Sequence, residues 1–223
     1  FFLLFISGQN FGKLKLVSDL PTTLKEVSGT ETISNSDLIW MLNDGGNKPI
    51  LYGISPKGKI KKELNIQAKN HDWEDLTSDN EGNLYIGDFG NNRSERQNLV
   101  ILKVKNKDLN NKKVEIERIR FSYPEQTKFP PKKKTLFFDA ESFFYWKNNL
   151  YIFTKSRVKH KFGKTSLYKI PAIPGNYKAE FISEFNNCNN LDCWITSADI
   201  SPDGKKVALL THNEVLVFSD FKD

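Results

Sequence analysis

The fold is decided by the stretch Asp72-Trp73-Glu74-Asp75-Leu76 and its continuation Asn83-Leu84-Tyr85-Ile86-Gly87-Asp88-Phe89-Gly90-Asn91-Asn92. An acidic cluster enters a short strand pattern, and the polar turn at residues 78–83 reverses the chain. The second strand then ends in a loop of Asp, Gly and Asn. Weaker copies of this pattern recur along the chain, so it predicts the repeating unit of the fold.

Four such units follow one another, beginning near residues 26, 72, 138 and 196. Each complete unit contains four short runs rich in β-branched and aromatic residues, which are typical of strands. Turns such as Ser55-Pro56-Lys57-Gly58 join them. Repeats of four antiparallel strands at this period indicate propeller blades. The sequence therefore predicts an all-β fold, a β-propeller of four-stranded antiparallel blades with about four blades present.

The two ends of the predicted propeller domain, residues 13–223, raise the question of ring closure. The fourth unit has three predicted strands, and a lone strand is predicted at residues 13–20, before the first unit. In one interpretation this lone strand completes the last blade of a four-bladed ring. We expect instead a C-terminally incomplete domain, truncated from a six-bladed ring, because the N-terminus already begins inside the predicted signal.

The formal net charge of +6 comes largely from lysine clusters at residues 132–134 and 159–161. Charge runs of this kind are typical of solvated loops. A nucleic-acid groove would need basic residues interleaved with exposed aromatic residues, and here the aromatic residues lie within strand patterns. We therefore expect no nucleic-acid partner.

The first six residues are all apolar and are followed by the small residues Ser7 and Gly8, so residues 1–9 predict the remnant of a secretion signal. The alternative is a buried N-terminal strand. No stretch of the sequence is long enough to span a bilayer. The chain is thus predicted to be exported, to the periplasm, the cell surface or the medium, and its oligomeric state is not predicted.

The two cysteines, Cys188 and Cys193, lie five residues apart. A zinc site would need further Cys or His ligands at a matching spacing, and none is near. In an exported chain this spacing predicts a local disulfide that pins a loop, and the alternative is a pair of free thiols.

Several motifs resemble exported bacterial propeller proteins related to the SdiA-regulated and phytase-like groups. The motifs are Glu26-Val27-Ser28-Gly29, Asp72-Trp73-Glu74-Asp75-Leu76, Tyr85-Ile86-Gly87-Asp88-Phe89-Gly90-Asn91-Asn92, Asp139-Ala140-Glu141-Ser142, Phe153-Thr154-Lys155-Ser156-Arg157 and Ala198-Asp199-Ile200-Ser201-Pro202-Asp203-Gly204. The resemblance covers the chain from about residue 20 onwards and implies a ring of about six blades. Calcium in the central channel and phosphoesterase-like chemistry occur in some members, so the resemblance raises both as expectations. Fold analogy alone is a weak argument for activity.

Each unit begins with an acidic residue, and these four residues are the candidate metal ligands Glu26, Glu74, Glu141 and Asp199. The first strand of each propeller blade lines the channel, so their carboxylates are expected to converge. Converging carboxylates are costly unless a cation neutralises them, and oxygen ligands favour calcium. The alternative is that each acid accepts backbone hydrogen bonds from a neighbouring blade. Asp72, Asp75 and Asp139 flank the same strands as further candidates.

The ends of the second strands form a second polar ring at one mouth of the channel. Its candidate ligand-binding residues are Asp88, Asn91, Asn92, Lys155, Arg157 and His212. The basic members suit an anionic group such as phosphate or carboxylate. The alternative is that the Asn and Asp side chains stabilise turns and the cations are solvated.

Three functions follow as hypotheses. The first is an exported propeller whose channel mouth binds a small anionic or polymeric ligand, organised by calcium. The second is a metal-assisted phosphoesterase, for which no catalytic residue is assigned because the sequence has no nucleophile motif. The third is a protein-interaction scaffold without catalysis, which predicts an exposed apolar patch on one face.

Overall fold

A computed structural model describes residues 15–34, 36–111, 113–188 and 190–222. Four small, mainly antiparallel sheets form a ring, the arrangement of a four-bladed β-propeller, which confirms the predicted fold class. Within these residues the only helical segments are three short 3-10 turns at Asn106–Asp108, Lys133–Thr135 and Leu191–Cys193. No helix in the described part of the chain has the length and apolar character needed to cross a membrane.

The strands follow the predicted units. Blade 1 contains β1 (Val27–Thr32), β2 (Ile39–Asn43), β3 (Ile50–Ile54) and β4 (Ile60–Ile66). Blade 2 contains β5 (Trp73–Ser78), β6 (Leu84–Asp88) and β7 (Val100–Val104), then the short β8 (Lys113–Val114), and β9 (Glu117–Ser122). Blade 3 contains β10 (Asp139–Trp146), β11 (Asn149–Lys155) and β12 (Lys164–Pro171), then the short β13 (Gly175–Lys178), and β14 (Glu180–Asn186). Blade 4 contains β15 (Ser197–Ile200), β16 (Lys206–Leu210) and β17 (Val215–Ser219).

Two short strands leave their own blade and pair with the preceding one. Strand β8 pairs in parallel with β4 of blade 1, and β13 pairs in parallel with β9 of blade 2. Each therefore covers the outer edge of a sheet that would otherwise expose unpaired backbone groups.

The core lies between the blades and is built mainly from aliphatic and aromatic side chains. Trp40, Trp73 and Leu84 belong to the cluster between blades 1 and 2, and Phe89 and Phe143 to the cluster between blades 2 and 3. Each of these fully buried side chains contributes roughly 1.5–3 kcal/mol when removed from water. The innermost strands β1, β5, β10 and β15 pack side by side and bring their polar residues to the axis.

Glycine permits the close approach of the first two blades. A Cβ on Gly29 of β1 would lie 2.7 Å from the backbone nitrogen of Leu76 in β5. Any side chain here would push the two inner strands apart, since backbone atoms cannot yield as a flexible side chain can.

The lone strand predicted at residues 13–20 is wrong over its described part, because residues 15–20 form no strand. Ser18 and Asp19 instead lie against the turn at Gly58, between β3 and β4. Within the described chain, blade 4 thus has three strands, and Leu210, Val215 and Val217 on one of its faces are exposed. The predicted signal remnant, residues 1–9, lies outside the described residues.

Candidate functional site at the channel mouth

A β-bulge at the start of the inner strand shapes the site in three blades. The pairing register shifts between Trp73 and Asp75 in β5, and between Ala140 and Ser142 in β10. The residues left unpaired are Glu74 and Glu141, and a bulge re-aims its extra side chain away from the sheet. The equivalent residue of β1 is Ser28, whose hydroxyl donates to the Trp73 carbonyl at 3.0 Å.

Three carboxylates from two blades meet at this end of the axis. Asp44 follows β2 of blade 1, whereas Asp72 and Glu74 flank the first residue of β5 in blade 2. One oxygen of each lies within 4.8 Å of an oxygen of the other two. Oxygen-only ligands at this separation match the coordination that hard divalent cations prefer.

The carboxylates of Asp72 and Glu74 lack hydrogen-bond donors. Glu74 is only 7% exposed, yet among the described residues no side chain or backbone N–H donates to it or to the Asp72 carboxylate. Asp44 accepts a hydrogen bond from the backbone N–H of Gly45. Buried carboxylates normally have several donors, so an unpartnered pair is an electrostatic cost in the cation-free protein.

The pKa values express this cost. Burial, together with the neighbouring carboxylates of Asp44 and Asp72, raises the pKa of Glu74 to about 9. Burial and the charge of Asp44 raise the pKa of Asp72 to about 6. The pKa of Asp44 is also raised, mainly by burial. Each shift has the direction expected when like charges are confined without a counter-ion.

Two glycines leave the space that the carboxylates occupy. A Cβ on Gly90 would overlap the Glu74 Oε1 and Asp72 Oδ2 atoms, and one on Gly45 would overlap Asp72 Oδ1. Both glycines belong to the polar loops that end β2 and β6. The loops therefore form a close-fitting cradle around the acidic cluster.

A second group of charges lies beside the cluster on blade 3. The Lys155 ammonium contacts the Glu141 carboxylate, and the Arg157 Nε donates to Asp139 Oδ2 at 2.7 Å. Burial lowers the pKa of Lys155 to about 8, with Arg157 contributing, although the charges of Asp139, Glu74 and Asp44 oppose the shift.

Trp194 forms the wall behind these two cations. Its ring centroid lies 4.7 Å from Lys155 Nζ and 4.4 Å from Arg157 Cζ, within the range of cation–π contacts. The indole N–H donates to the Ser156 carbonyl at 2.7 Å, so the ring is anchored to the end of β11. Cys193, the preceding residue, forms the predicted disulfide with Cys188, with a Cα–Cα distance of 5.7 Å.

Asp88 is the centre of a third polar group at the end of β6. Its buried carboxylate accepts hydrogen bonds from Arg96 Nη2 at 2.8 Å and from the Asp72 backbone N–H at 3.2 Å. His71 Nδ1 lies 2.9 Å from the other carboxylate oxygen. Asp88 thus holds the backbone that presents Asp72.

The structure separates the four acids predicted as metal ligands. Glu74 alone lies in the cluster of three carboxylates, and Glu141 is engaged by Lys155. Glu26 is exposed and accepts from Asn47 Nδ2 at 2.8 Å. Asp199 lies opposite Ala208, farther along its strand, where its charge acts on the partly buried Glu31.

The predicted ligand-binding residues also have different surroundings. Asn91 joins blades 2 and 3, because its backbone N–H donates to Asp139 and its side chain donates to the Phe138 carbonyl. Asn92 contacts Arg157. His212 is exposed, and its ring lies 6.2 Å from that of Trp194.

Sequence reasoning missed the roles of Trp194, His71 and Arg96. The position of Trp194 directly after a disulfide cysteine was the one available signal. Asp72 was among the further candidates, but nothing in the spacing of Asp44 and Asp72 indicated that they share a cluster with Glu74.

The comparison with solved structures supports the propeller fold. A gluconolactonase of Xanthomonas campestris superposes with a TM-score of 0.53 over 90% of this chain, at 13% identity. A structure of the nidogen/laminin complex superposes with a TM-score of 0.53 over 87% of this chain, at 10% identity. The chain spans 60% of the length of each matched chain. At these identities the likeness concerns the fold alone.

The amino-acid sequence matches no protein-family model and no curated protein. The finer resemblance to SdiA-regulated and phytase-like propellers thus has no support beyond the motifs themselves.

Proposed function

We propose that the channel mouth binds a divalent cation, calcium foremost, and that the cation organises a site for a small ligand. The single observation behind this proposal is the group of Asp44, Asp72 and Glu74, in which the buried Glu74 and the half-buried Asp72 have carboxylates without donors. A divalent cation would remove the repulsion among them and reverse the cost of burying Glu74.

The proposed ligand set differs from the one predicted from sequence. Glu74 is common to both, whereas Asp44 and Asp72 replace Glu26, Glu141 and Asp199. Three carboxylates in mixed monodentate and bidentate modes leave coordination positions for water or ligand oxygens around calcium. Such open positions are what a ligand-binding role requires.

Isothermal titration with calcium tests the site, using protein first stripped with a chelator. We expect saturable binding by the wild type and at least about tenfold weaker binding by Glu74→Gln and by Asp72→Asn. Glu31→Gln is the matched control, because Glu31 is a partly buried acid outside the cluster. Calcium affinity that Glu74→Gln leaves unchanged, or no binding of calcium, magnesium or manganese by the wild type, would refute the proposal.

Phosphoester hydrolysis is the second candidate function. It is favoured by Lys155 and Arg157, which place positive charge beside the proposed cation site. Without a cation, the acids of the mouth outnumber these two bases, so an anionic substrate is expected to need the metal first. Measuring turnover of a panel of phosphomonoesters with and without calcium tests this function. Inactivity towards every member of the panel with calcium bound would exclude hydrolysis of these substrates.

Export is supported by the disulfide between Cys188 and Cys193. Structural disulfides persist in oxidising compartments and are rare in reducing ones. We infer an exported protein from this bond, and a reporter fusion to the complete gene tests it. Retention of the reporter in the cytoplasm would contradict export.

A further inference from the structure

A cavity of about 340 Å³ lies on the outer rim of blade 2, away from the acidic cluster. It opens between the start of β7, the end of β9 and the loop that follows β9. Its lining includes Leu99, Phe121, Tyr123, Phe129, Arg96 and Lys178. The volume is within the range of small-molecule sites, which combine apolar walls with a few polar groups.

The apolar wall of this cavity is rigid. Phe121 and Tyr123 meet edge to face with ring centroids 5.5 Å apart, and Tyr123 packs in turn on Tyr168 at 4.7 Å. Leu99 is 2% exposed, whereas Phe129 at the opening is 36% exposed. Gln126 donates to the Ser94 carbonyl at 2.7 Å and so ties down the loop that carries Phe129. A flat apolar group therefore meets a preformed surface.

The lining also carries one charged group without a polar partner. Lys178 is exposed, and no carboxylate among the described residues forms an ion pair with it. The Tyr123 hydroxyl is buried out of contact with solvent, so only the ring of Tyr123 contributes to the wall.

Arg96 closes the inner end of the cavity, and its charge is neutralised by the ion pair with Asp88. Its guanidinium donates to the Gly90 carbonyl, to both the carbonyl and the carboxylate of Asp88, and to Asn98. It is therefore immobile. Lys178 is held at the other side because β13 pairs with β9, which sets Lys178 opposite Ser122.

We propose that this cavity binds a small planar aromatic carboxylate, with the ring against Phe121 and Phe129 and the carboxylate towards Lys178. The aromatic wall selects a flat ring, and the unpaired ammonium selects a negative charge. The inference is independent of the proposed cation site, which lies on the other side of Arg96.

The experiment compares 1-naphthoate with its neutral analogue 1-naphthamide, by ligand-observed NMR and titration calorimetry in the presence of a chelator. We expect saturable naphthoate binding and at least about tenfold weaker binding of the amide. Lys178→Gln should weaken naphthoate binding at least about fivefold, and Gln97→Trp should block the cavity and abolish it. Lys61→Gln, at an exposed position of β4, is the matched control and should bind like the wild type.

Two results would overturn the proposal. One is equal affinity for the acid and the amide, which would mean an apolar slot without charge selection. The other is naphthoate binding that survives both Lys178→Gln and Gln97→Trp, which would place the bound molecule elsewhere. Circular dichroism of each variant confirms that it is folded before its affinity is interpreted.

Discussion

Ser197 Oγ lies 3.4 Å from Asp75 Oδ2, although the two residues are 122 positions apart in the chain. The same carboxyl group accepts hydrogen bonds from the backbone N–H of Leu76 at 2.9 Å and of Phe143 at 3.4 Å. Asp75 thus joins the inner strands of blades 2, 3 and 4 at the axis. Burial raises the pKa of Asp75 well above its ordinary value, and hydrogen bonds from the backbone oppose this shift. Hydrogen bonds, rather than a positive charge, therefore stabilise the Asp75 carboxyl group.

Removal of this junction is expected to destabilise the ring. Asp75→Ala leaves the Phe143 N–H and the Ser197 hydroxyl without their acceptor, at a cost of about 2–4 kcal/mol in the free energy of unfolding. Urea denaturation followed by tryptophan fluorescence measures the loss. Ser197→Ala removes a single long hydrogen bond and should cost less than about 1 kcal/mol. An Asp75→Ala variant as stable as the wild type would show that the junction is unimportant.

Glu74 is expected to make the cation-free protein less stable as pH rises. Its pKa is about 9 when folded and near 4.5 when unfolded, so the folded state binds more protons between these values. The free energy of unfolding therefore falls as pH increases through this window. At pH 8.5, without divalent cations, Glu74→Gln should unfold at a higher temperature than the wild type.

In Glu74→Gln the free energy of unfolding should fall less steeply with rising pH, but it should still fall. The raised pKa values of Asp72 and Glu31 also make the folded protein less stable as pH rises. Thermal melts at several pH values, with a chelator present, measure this pH dependence. If the wild type and Glu74→Gln lose stability in parallel between pH 5 and 8.5, Glu74 is not the source of the cost.

Gly90→Ala is expected to disrupt cation binding at a small cost in stability. The added methyl group overlaps oxygens of Glu74 and Asp72, and both side chains can rotate away. The fold should survive, whereas the cluster geometry should not, and calcium affinity should fall at least about tenfold. Gly175→Ala is the control, since its methyl group would meet only the Tyr177 ring, 2.8 Å from the hydroxyl. Calcium titration that does not distinguish the two variants would contradict the cradle model.

Lys155 is expected to weaken cation binding by repulsion. Its ammonium acts electrostatically on Glu74 and Asp44, the carboxylates that the cation would share. Lys155→Met removes this charge and keeps most of the aliphatic stem, so calcium affinity should rise roughly three- to tenfold. Lys164→Met, which breaks the ion pair between Lys164 and Glu184, should leave the calcium affinity unchanged. A decrease in Lys155→Met would mean that the ammonium instead helps to order the site.

The strands of this protein are well determined by local sequence, and the site is not. Alternating aromatic and β-branched residues in β2, β6 and β11 gave the blades, because strand propensity and burial act over neighbouring residues. The bulges at Glu74 and Glu141 depend on pairing across strands, which the local sequence does not show. The recurring acids therefore predicted Glu26 as the equivalent residue of blade 1, whereas the bulge of blade 1 is at Ser28.

The cluster itself requires the relative placement of two blades. Asp44 meets Asp72 where Gly45 lets the loop after β2 approach the Asp72 backbone closely, and no periodicity in the sequence encodes that distance. For the same reason Trp194 could not be connected with Lys155 and Arg157, which precede it by almost 40 residues.

The parallel strands β8 and β13 have a consequence for how the ring comes apart. Each belongs by sequence to one blade and by hydrogen bonding to the blade before it, so neither blade 1 nor blade 2 can expose its outer edge until its successor loosens. Opening should therefore begin at blades 3 and 4, whose outer strands no strand of a following blade covers in the described chain, and reach blade 2 and then blade 1. Among the outer strands, amide exchange is then expected to be slower in β4 and β9 than in the uncovered β14 and β17.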